Sequence, residues 1–476
     1  MSTASYNLDV AAQAMQGTIT QRGQRGEDFA GAAADSRQVA AGQLFFALPG
    51  ERVDGFAFAA QAAAAGAVAV VVERGRGIPP GCADVTVIAV PDPLTALADL
   101  ARFVRARFTG HVIGVTGSNG KTTTKELIAA ALGPLGPVLR TPGNFNTDVG
   151  LPLTVLSATG HEAAWVLEMA MRGRGEIALL AEIARPQIGV ITNVAAAHLE
   201  RLGSLEEVAQ AKGELFAALP AFGFAVLPID EPLVVAQARH LADKQKITFG
   251  GPRAGDVRVL DVIPAGASGS VVRMSAWDRP VVVRLPLPGL HNARNAAAAL
   301  AVSGAAGAPL MEATHALQTL TLPPHRSAPV AAGGRTILDD CYNANPASMR
   351  AALVALAAST GAGRPFAILG DMLELGPDAE ALHRQIGADA ARVGHLVGLC
   401  TVGPLSAAMI EGARAAGLDP ARAVAAATPE EAAAAVASWT RPGDWILVKA
   451  SRGIKLEAAV AALQRLFTQT PEAARS

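Results

Sequence analysis

Lys121 and Thr122 follow a turn bounded by Gly117 and Gly120, and the run Thr116–Thr123 reads TGSNGKTT. This arrangement makes a phosphate cradle. The glycines let backbone N–H groups of the loop, which includes Ser118 and Asn119, turn towards an anion, and a helix beginning at the lysine adds the positive end of its dipole. The Lys121 ammonium can reach terminal phosphates, and the Thr122 hydroxyl, with Thr123 beside it, stands where Mg²⁺ would be held. The loop is shorter than GxxxxGK, because Val115 occupies the place of the first glycine. An apolar strand (HVIGVT) before it and a helical run (KELIAAAL) after it supply the context that a chance turn lacks. The chemistry implied is binding of a nucleoside triphosphate, ATP in the simplest case.

ATP chemistry needs metal ligands, and in open parallel sheets these come from loops at the carboxyl ends of strands. Glu168 ends the strand WVLEMA, and His198 follows IGVITNV by a few residues. A carboxylate and an imidazole there can share one Mg²⁺ while Thr122 holds another. Of 40 basic residues only seven are lysine, so lysine should be kept where guanidinium cannot substitute, which draws attention to Lys121, Lys212 and Lys449. Lys212, in AKGELF, is either a solvated or ion-paired lysine or one carbamylated by CO₂ and able to ligate Mg²⁺. His291, Asn292 and Asn295 open a helix. Their spacing brings two amides near an adenine edge, unless Asn292 simply caps the helix. In DDCYNANPASM a strand ends in acidic and amide groups, where Asp340 can accept from a ribose hydroxyl. Arg326, just past Pro323-Pro324, can reach a γ-phosphate.

Three segments must position these groups: 1–108, 109–322 and 323–476. The first reads as short α/β units, with strands in QLFFALPG, VAVVVE and DVTVIAV. Asp92-Pro93 supplies an N-cap and an N1 proline for the helix that follows. Thr109-Gly110 reads as a hinge. In the second, WVLEMA and IGVITNV are apolar runs suited to a parallel sheet buried on both faces. Ser204–Glu207 forms a capping box, a β-rich flank spans about 247–286, and 295–311 reads as two packed helices. In the third, TILDD, FAILGD, HLVGLCTVG and WILVKAS alternate with alanine-rich helices, a Rossmann-like pattern without the dinucleotide fingerprint GxGxxG. The expected fold class is α/β: a small α/β domain, a central P-loop-type ATPase domain with a mostly parallel sheet, and a C-terminal Rossmann-like domain.

At 476 residues, three domains fit the length. A net charge of −1 points away from nucleic acid and from a polybasic membrane patch. Positive mean hydropathy comes from alanine and valine, not from a membrane span. Cys82, Cys341 and Cys400 are too scattered for a disulfide or metal framework. The N-terminus reads as a capped amphipathic helix with neither a basic region nor an apolar signal core, so a reduced, cytoplasmic location is expected.

Taken together, TGSNGKTT, the LE of WVLEMA, the H of AAAHLE, AKGE, HNARN, PPHR, DDCYNANP and VKASRG, in that order, resemble the Mur ligase family of ATP-dependent amide-forming enzymes of peptidoglycan precursor synthesis. NFNTDVGLP, DDCYNANPASM and GDMLELG resemble the branch that adds D-alanyl-D-alanine to UDP-MurNAc-tripeptide. The run DSRQVAAGQLFFALPGERVDGFAFA resembles its UDP-binding domain. A ligase adding the third amino acid would carry a DNPR motif, absent here. Folylpolyglutamate synthases place the phosphate loop near the chain start, whereas about 110 residues precede it here.

The resemblance implies Lys121 on the phosphates, Thr122, Glu168 and His198 at two Mg²⁺ sites, and Lys212 at a carbamylated-lysine position. Asn295 would face adenine, Arg326 the γ-phosphate and Asp340 the ribose. Asn144, Asn146, Asn343 and Asn345 would face substrate, Ser36 and Arg37 would lie in the uridine-nucleotide segment, and Ser451 and Arg452 would receive the dipeptide. It further implies an acyl-phosphate intermediate, domain closure on ATP, small-molecule partners only, and a monomer.

Overall fold

The computed structural model describes residues 4–50, 53–196, 199–321 and 323–468. They divide into two compact units, 1–116 with 135–190 and 211–225, and 117–134 with 191–210 and 226–476.

In the first unit, Leu44–Phe46, Ala69–Glu73 and Thr86–Val90 run parallel, with Ala32–Ala33 at one edge and Thr18–Gln21 antiparallel at the other. Helix Pro93–Arg105 starts as expected: the Asp92 carboxylate accepts from Thr95 N at 2.8 Å and proline occupies the first turn. A second set of strands follows in the order Ile188–Ile191, His111–Thr116, Ala164–Glu168, Val138–Arg140, the last three parallel to one another. Val112, Ile113, Val115, Trp165, Val166 and Leu167 are all buried, which is why these strands read as unbroken apolar runs. The expected hinge at Gly110 is instead a tight junction. A Cβ there would come within 2.6 Å of the Ala163 carbonyl, and Phe108 stacks on Trp165 with centroids 4.0 Å apart. Glycine is needed there for close approach, not for mobility.

In the second unit, Lys246–Gly250 pairs parallel with Val257–Pro264, which continues into an antiparallel meander through Ser270–Ala276 and Arg279–Leu285. Helices Leu290–Ala305 and Leu310–Ala316 follow, the pair expected for that stretch. Beyond them lies a sheet ordered Ala328–Ala332, Arg335–Asp339, Trp445–Lys449, Pro365–Gly370, Gly398–Val402, Ala423–Ala426. Only the first pair is antiparallel. Side chains alternate between its two covered faces: Leu338, Ala367, Leu399 and Leu447 enter one core, and Ile337, Phe366, Ile368, Cys400 and Ile446 the other. The sequence pattern located the four inner strands; it missed the two edges, which are rich in alanine.

Candidate active site

The phosphate loop of the second unit is shaped by two close approaches. Gly117 has φ +150°, and a Cβ there would overlap the Thr192 hydroxyl. Gly120, at φ +77°, caps helix Lys121–Leu132, and its added Cβ would lie 2.8 Å from Asn295 Oδ1. Both positions therefore exclude side chains by space as well as by backbone conformation. Ser118 N donates to Asn193 O at 3.0 Å and Asn119 N to Asn193 Oδ1 at 2.9 Å, while the Ser118 hydroxyl exchanges bonds with Ala195. The N–H groups of Ser118 and Asn119 thus hold the loop's shape. The N–H groups of Thr122 and Thr123, in the helix's first turn, have no intrahelical acceptor. Lys121 Nζ crosses back over the loop to Gly117 O at 2.8 Å.

Asn295 lies one helical turn from Asn292, and both are buried. Gly289 is the N-cap of that helix and no side chain caps it, so Asn292 does not cap: its Nδ2 donates to Pro288 O at 2.8 Å, while the Asn295 amide is the one set against the loop.

Around Asp340 the same unit assembles a second polar cluster. Lys449 Nζ lies 2.6 Å from Asp340 Oδ2 and 3.0 Å from Asn343 O, and Ser327 Oγ donates to Asp340 Oδ1 at 3.1 Å. The Arg326 guanidinium sits 3.6 Å from the Tyr342 ring centroid, with Arg452 at 5.7 Å from the same ring. Asn345 caps helix Pro346–Ser359 by accepting from Ser348 N at 2.9 Å, and its Nδ2 donates to Asn119 Oδ1 at 2.7 Å. Asn343 Oδ1 accepts from Ala344 N at 2.9 Å. The Ser451 hydroxyl is buried between Leu373 N and Ala344 O, so it braces two loops, whereas the Arg452 side chain is 59% exposed. His291 is within electrostatic reach of Asp340 and Lys449; burial pulls its imidazole down to about 4, so it is neutral near pH 7.

In the first unit, Glu168 is 2% exposed at the end of its strand, where Oε1 accepts from Asn146 Nδ2 at 2.7 Å. Glu168 N donates to Thr141 Oγ1 at 2.9 Å. Asn144 is exposed, its carbonyl accepting from Asn146 N at 2.8 Å. Lys212 is 2% exposed within helix Leu205–Ala217. At the start of that helix the Ser204 half of the expected capping box is seen, Glu207 N donating to Ser204 Oγ at 3.2 Å. Ser36 Oγ donates to Gln61 Oε1 at 2.9 Å, and Arg37 projects into solvent beside Asp35. Hydrogen bonding to Arg37 holds the Asp35 carboxyl down at about 2. His198 lies outside the described residues.

Comparison with known proteins decides the family. Residues 29–105 match the pattern described as "Mur ligase family, catalytic domain", 115–303 the "Mur ligase middle domain", and 325–452 the "Mur ligase, glutamate ligase domain". A UDP-N-acetylmuramoyl-tripeptide–D-alanyl-D-alanine ligase of Mycobacterium bovis is 41% identical, over 90% of this chain and 91% of its own. The chain belongs to the Mur ligase family. MurF of Acinetobacter baumannii superposes on this Mur ligase with a TM-score of 0.86 at 29% identity, over 98% of this chain and 100% of its own. MurF of Thermotoga maritima, solved in complex with ADP, gives 0.80 at 30% identity, over 92% and 98%. The three consecutive pattern matches and these neighbours agree with the three-domain α/β architecture read from the sequence.

Three participants in this Mur ligase's site were not assigned a role by the sequence. Thr192 and Asn193, in IGVITNV, fix the phosphate loop, and Lys449 fixes Asp340. Lysine's rarity was the signal for Lys449. Nothing in the sequence singled out Tyr342 as the shelf for Arg326.

Proposed function

We propose that this Mur ligase joins D-alanyl-D-alanine to UDP-MurNAc-tripeptide at the expense of ATP, in the assembly of peptidoglycan precursors. The observation that carries this is the identity with a ligase of that specificity across nine-tenths of both chains. The tripeptide's terminal carboxylate attacks the γ-phosphate of ATP, giving an acyl phosphate and ADP. The dipeptide amine then attacks the acyl carbon, and the tetrahedral adduct collapses with loss of phosphate. The first step brings two anions together. The second, in which the neutral amine attacks and loses a proton, builds negative charge on the adduct and the departing phosphate, so cationic groups at the phosphates lower both barriers.

In this reading Lys121 and the first-turn N–H groups of its helix take the phosphates, Asn295 faces adenine, Asp340 the ribose and Arg326 the γ-phosphate. Ser36 and Arg37 belong to the UDP segment. Asn144, Asn146, Asn343, Asn345 and Arg452 serve the peptidyl and dipeptide substrates, with Ser451 supporting the loop beneath. The Thr122 hydroxyl and the buried Glu168 carboxylate are hard oxygen donors of the kind Mg²⁺ takes. Thr122 would hold one ion; Glu168, His198 and a carbamylated Lys212 would hold another. Bound Mg²⁺ would neutralise phosphate charge. Domain limits of 1–108, 109–322 and 323–476 go with this assignment, as do a monomeric state and a cytoplasmic location. Among the described residues, no helix is long and apolar enough to cross a membrane.

The experiment offers each amine with its own acceptor: D-alanyl-D-alanine with UDP-MurNAc-tripeptide, and diaminopimelate or lysine with UDP-MurNAc-dipeptide. Consumption of the dipeptide amine alone is expected. Turnover only with the shorter acceptor would void the specificity assigned here.

A further inference from the structure

Outside the groups assigned to ATP and peptide, one cluster of chemically potent side chains has no role. His325 Nδ1 lies 2.8 Å from Asp339 Oδ2, Cys341 Sγ lies 3.0 Å from Asp339 Oδ1, and the same Sγ lies 3.5 Å from His325 Nδ1. Cys341 is fully buried and Asp339 nearly so, while the His325 side chain is 27% exposed and gives the cluster a face towards solvent.

We propose that His325, Asp339 and Cys341 form a binding site for one borderline divalent cation, Zn²⁺ in the first instance, through imidazole nitrogen, carboxylate oxygen and thiolate sulfur.

The geometry supports three corners of a tetrahedron. Sulfur at about 2.3 Å and nitrogen or oxygen at about 2.0–2.2 Å from zinc place ligand atoms about 3.3–3.6 Å apart. The sulfur–nitrogen edge already has that length, while the carboxylate, which meets His325 through Oδ2 and Cys341 through Oδ1, must turn and draw back by about 0.5 Å to offer one oxygen as the third corner. The donor set is selective: a sulfur–nitrogen–oxygen triad suits zinc or cobalt and suits Mg²⁺ poorly, so millimolar Mg²⁺ used with ATP does not compete. The backbone also holds the imidazole in place at some strain. His325 has φ +66°, a conformation rare for a residue with a side chain, and Tyr342 N donates to its carbonyl at 3.2 Å. Binding is balanced by one proton. The Cys341 thiol, now donating to Asp339, gives its hydrogen to solvent as the sulfur–metal bond forms, and the imidazole binds neutral. Because Arg326 adjoins His325 and Asp340 lies between Asp339 and Cys341, occupancy would brace the segment that carries both.

The test uses the full-length protein, stripped with a chelator and titrated with Co²⁺ and then Zn²⁺ in the presence of excess Mg²⁺. One equivalent of Co²⁺ should raise a near-ultraviolet thiolate-to-cobalt band, lost on adding Zn²⁺, with one proton released per ion by calorimetry in two buffers. Cys341→Ser and His325→Gln should each weaken Zn²⁺ binding by more than about tenfold, the scale that even an outer-shell partner commands. A Cys82→Ser control should leave the band unchanged. Should Cys341→Ser fail to fold, His325→Gln, altered at the exposed edge, carries the test. Absence of the band in the unaltered protein, or Zn²⁺ affinity unchanged in either variant, would overturn the proposal.

Discussion

Lys449 Nζ stands 2.6 Å from Asp340 Oδ2, and the pair is nearly closed to water, with side chains 3% and 15% exposed. The ammonium also accepts no substitute geometry easily, because it donates at 3.0 Å to the Asn343 carbonyl as well. Asp340, the carboxylate assigned to the ribose, is therefore positioned by a lysine on the neighbouring strand Trp445–Lys449. Replacing Lys449 by Met leaves a buried carboxylate uncompensated. The protein should lose about 3 kcal/mol of stability and show a raised KM for ATP. Lys449→Arg should recover charge but not the fit. Thermal melts and ATP titration of both variants check this; unchanged ATP affinity in Lys449→Met would remove Lys449 from the site.

Gly120→Ala should nearly abolish nucleotide binding. It forces a side chain into the left-handed region and against Asn295, at a cost of about 1–2 kcal/mol before any loss of loop shape. Gly133→Ala is the control. That glycine has φ −50° and open space around its would-be Cβ, so the change should be neutral or stabilise by about 0.4–1 kcal/mol. Calorimetric ATP titration with melting curves separates the two.

Asn345 has two tasks that substitution can divide. Asn345→Ala loses both the helix cap and the bond to Asn119, with about 1 kcal/mol of destabilisation. Asn345→Ser keeps a cap but cannot reach Asn119. Near-normal melting with a raised KM for ATP is expected for the serine variant. A normal KM for ATP would show that the bond to Asn119 plays no part in nucleotide binding.

His291 sets an acid limit. Its pKa is lowered by burial from 6.5 to about 4, so the folded protein binds fewer protons than the unfolded chain between those values. The stability from keeping it neutral is complete above pH 6.5 and is lost as pH falls towards 4, at most about 3 kcal/mol in all. His291→Gln should flatten that part of the stability–pH curve. An equally steep fall in denaturation midpoints for the variant would assign the acid lability elsewhere.

Lys212 is tested by replacing nitrogen chemistry with carboxylate chemistry. Lys212→Ala should lose at least about 100-fold in kcat, and acetate or formate should restore part of it if a carbamate is the working group. No rescue, with Lys212→Arg active, would mean that the cation itself is used.

The sequence displayed the phosphate loop, the inner strands and the cap at Asp92 because each is local: spacing, periodicity or a side chain two or three residues from its partner. What it hid depends on residues distant along the chain. Asn193 occupies the N–H groups of Ser118 and Asn119 from 74 or more residues away, and Lys449 meets Asp340 across 109. The strand edges Ala328–Ala332 and Ala423–Ala426 were hidden for another reason: alanine carries little β signal and their neighbours supply the pairing. Gly110 was misread because a glycine between segments looks the same in sequence whether it bends or merely packs closely.

The central claim is tested most directly by phosphate release from ATP with Mg²⁺ and UDP-MurNAc-tripeptide, with and without D-alanyl-D-alanine. One phosphate released per pentapeptide formed, and essentially none without the dipeptide, is the expected result. Release that ignores D-alanyl-D-alanine, or no release with all components present, would contradict the account.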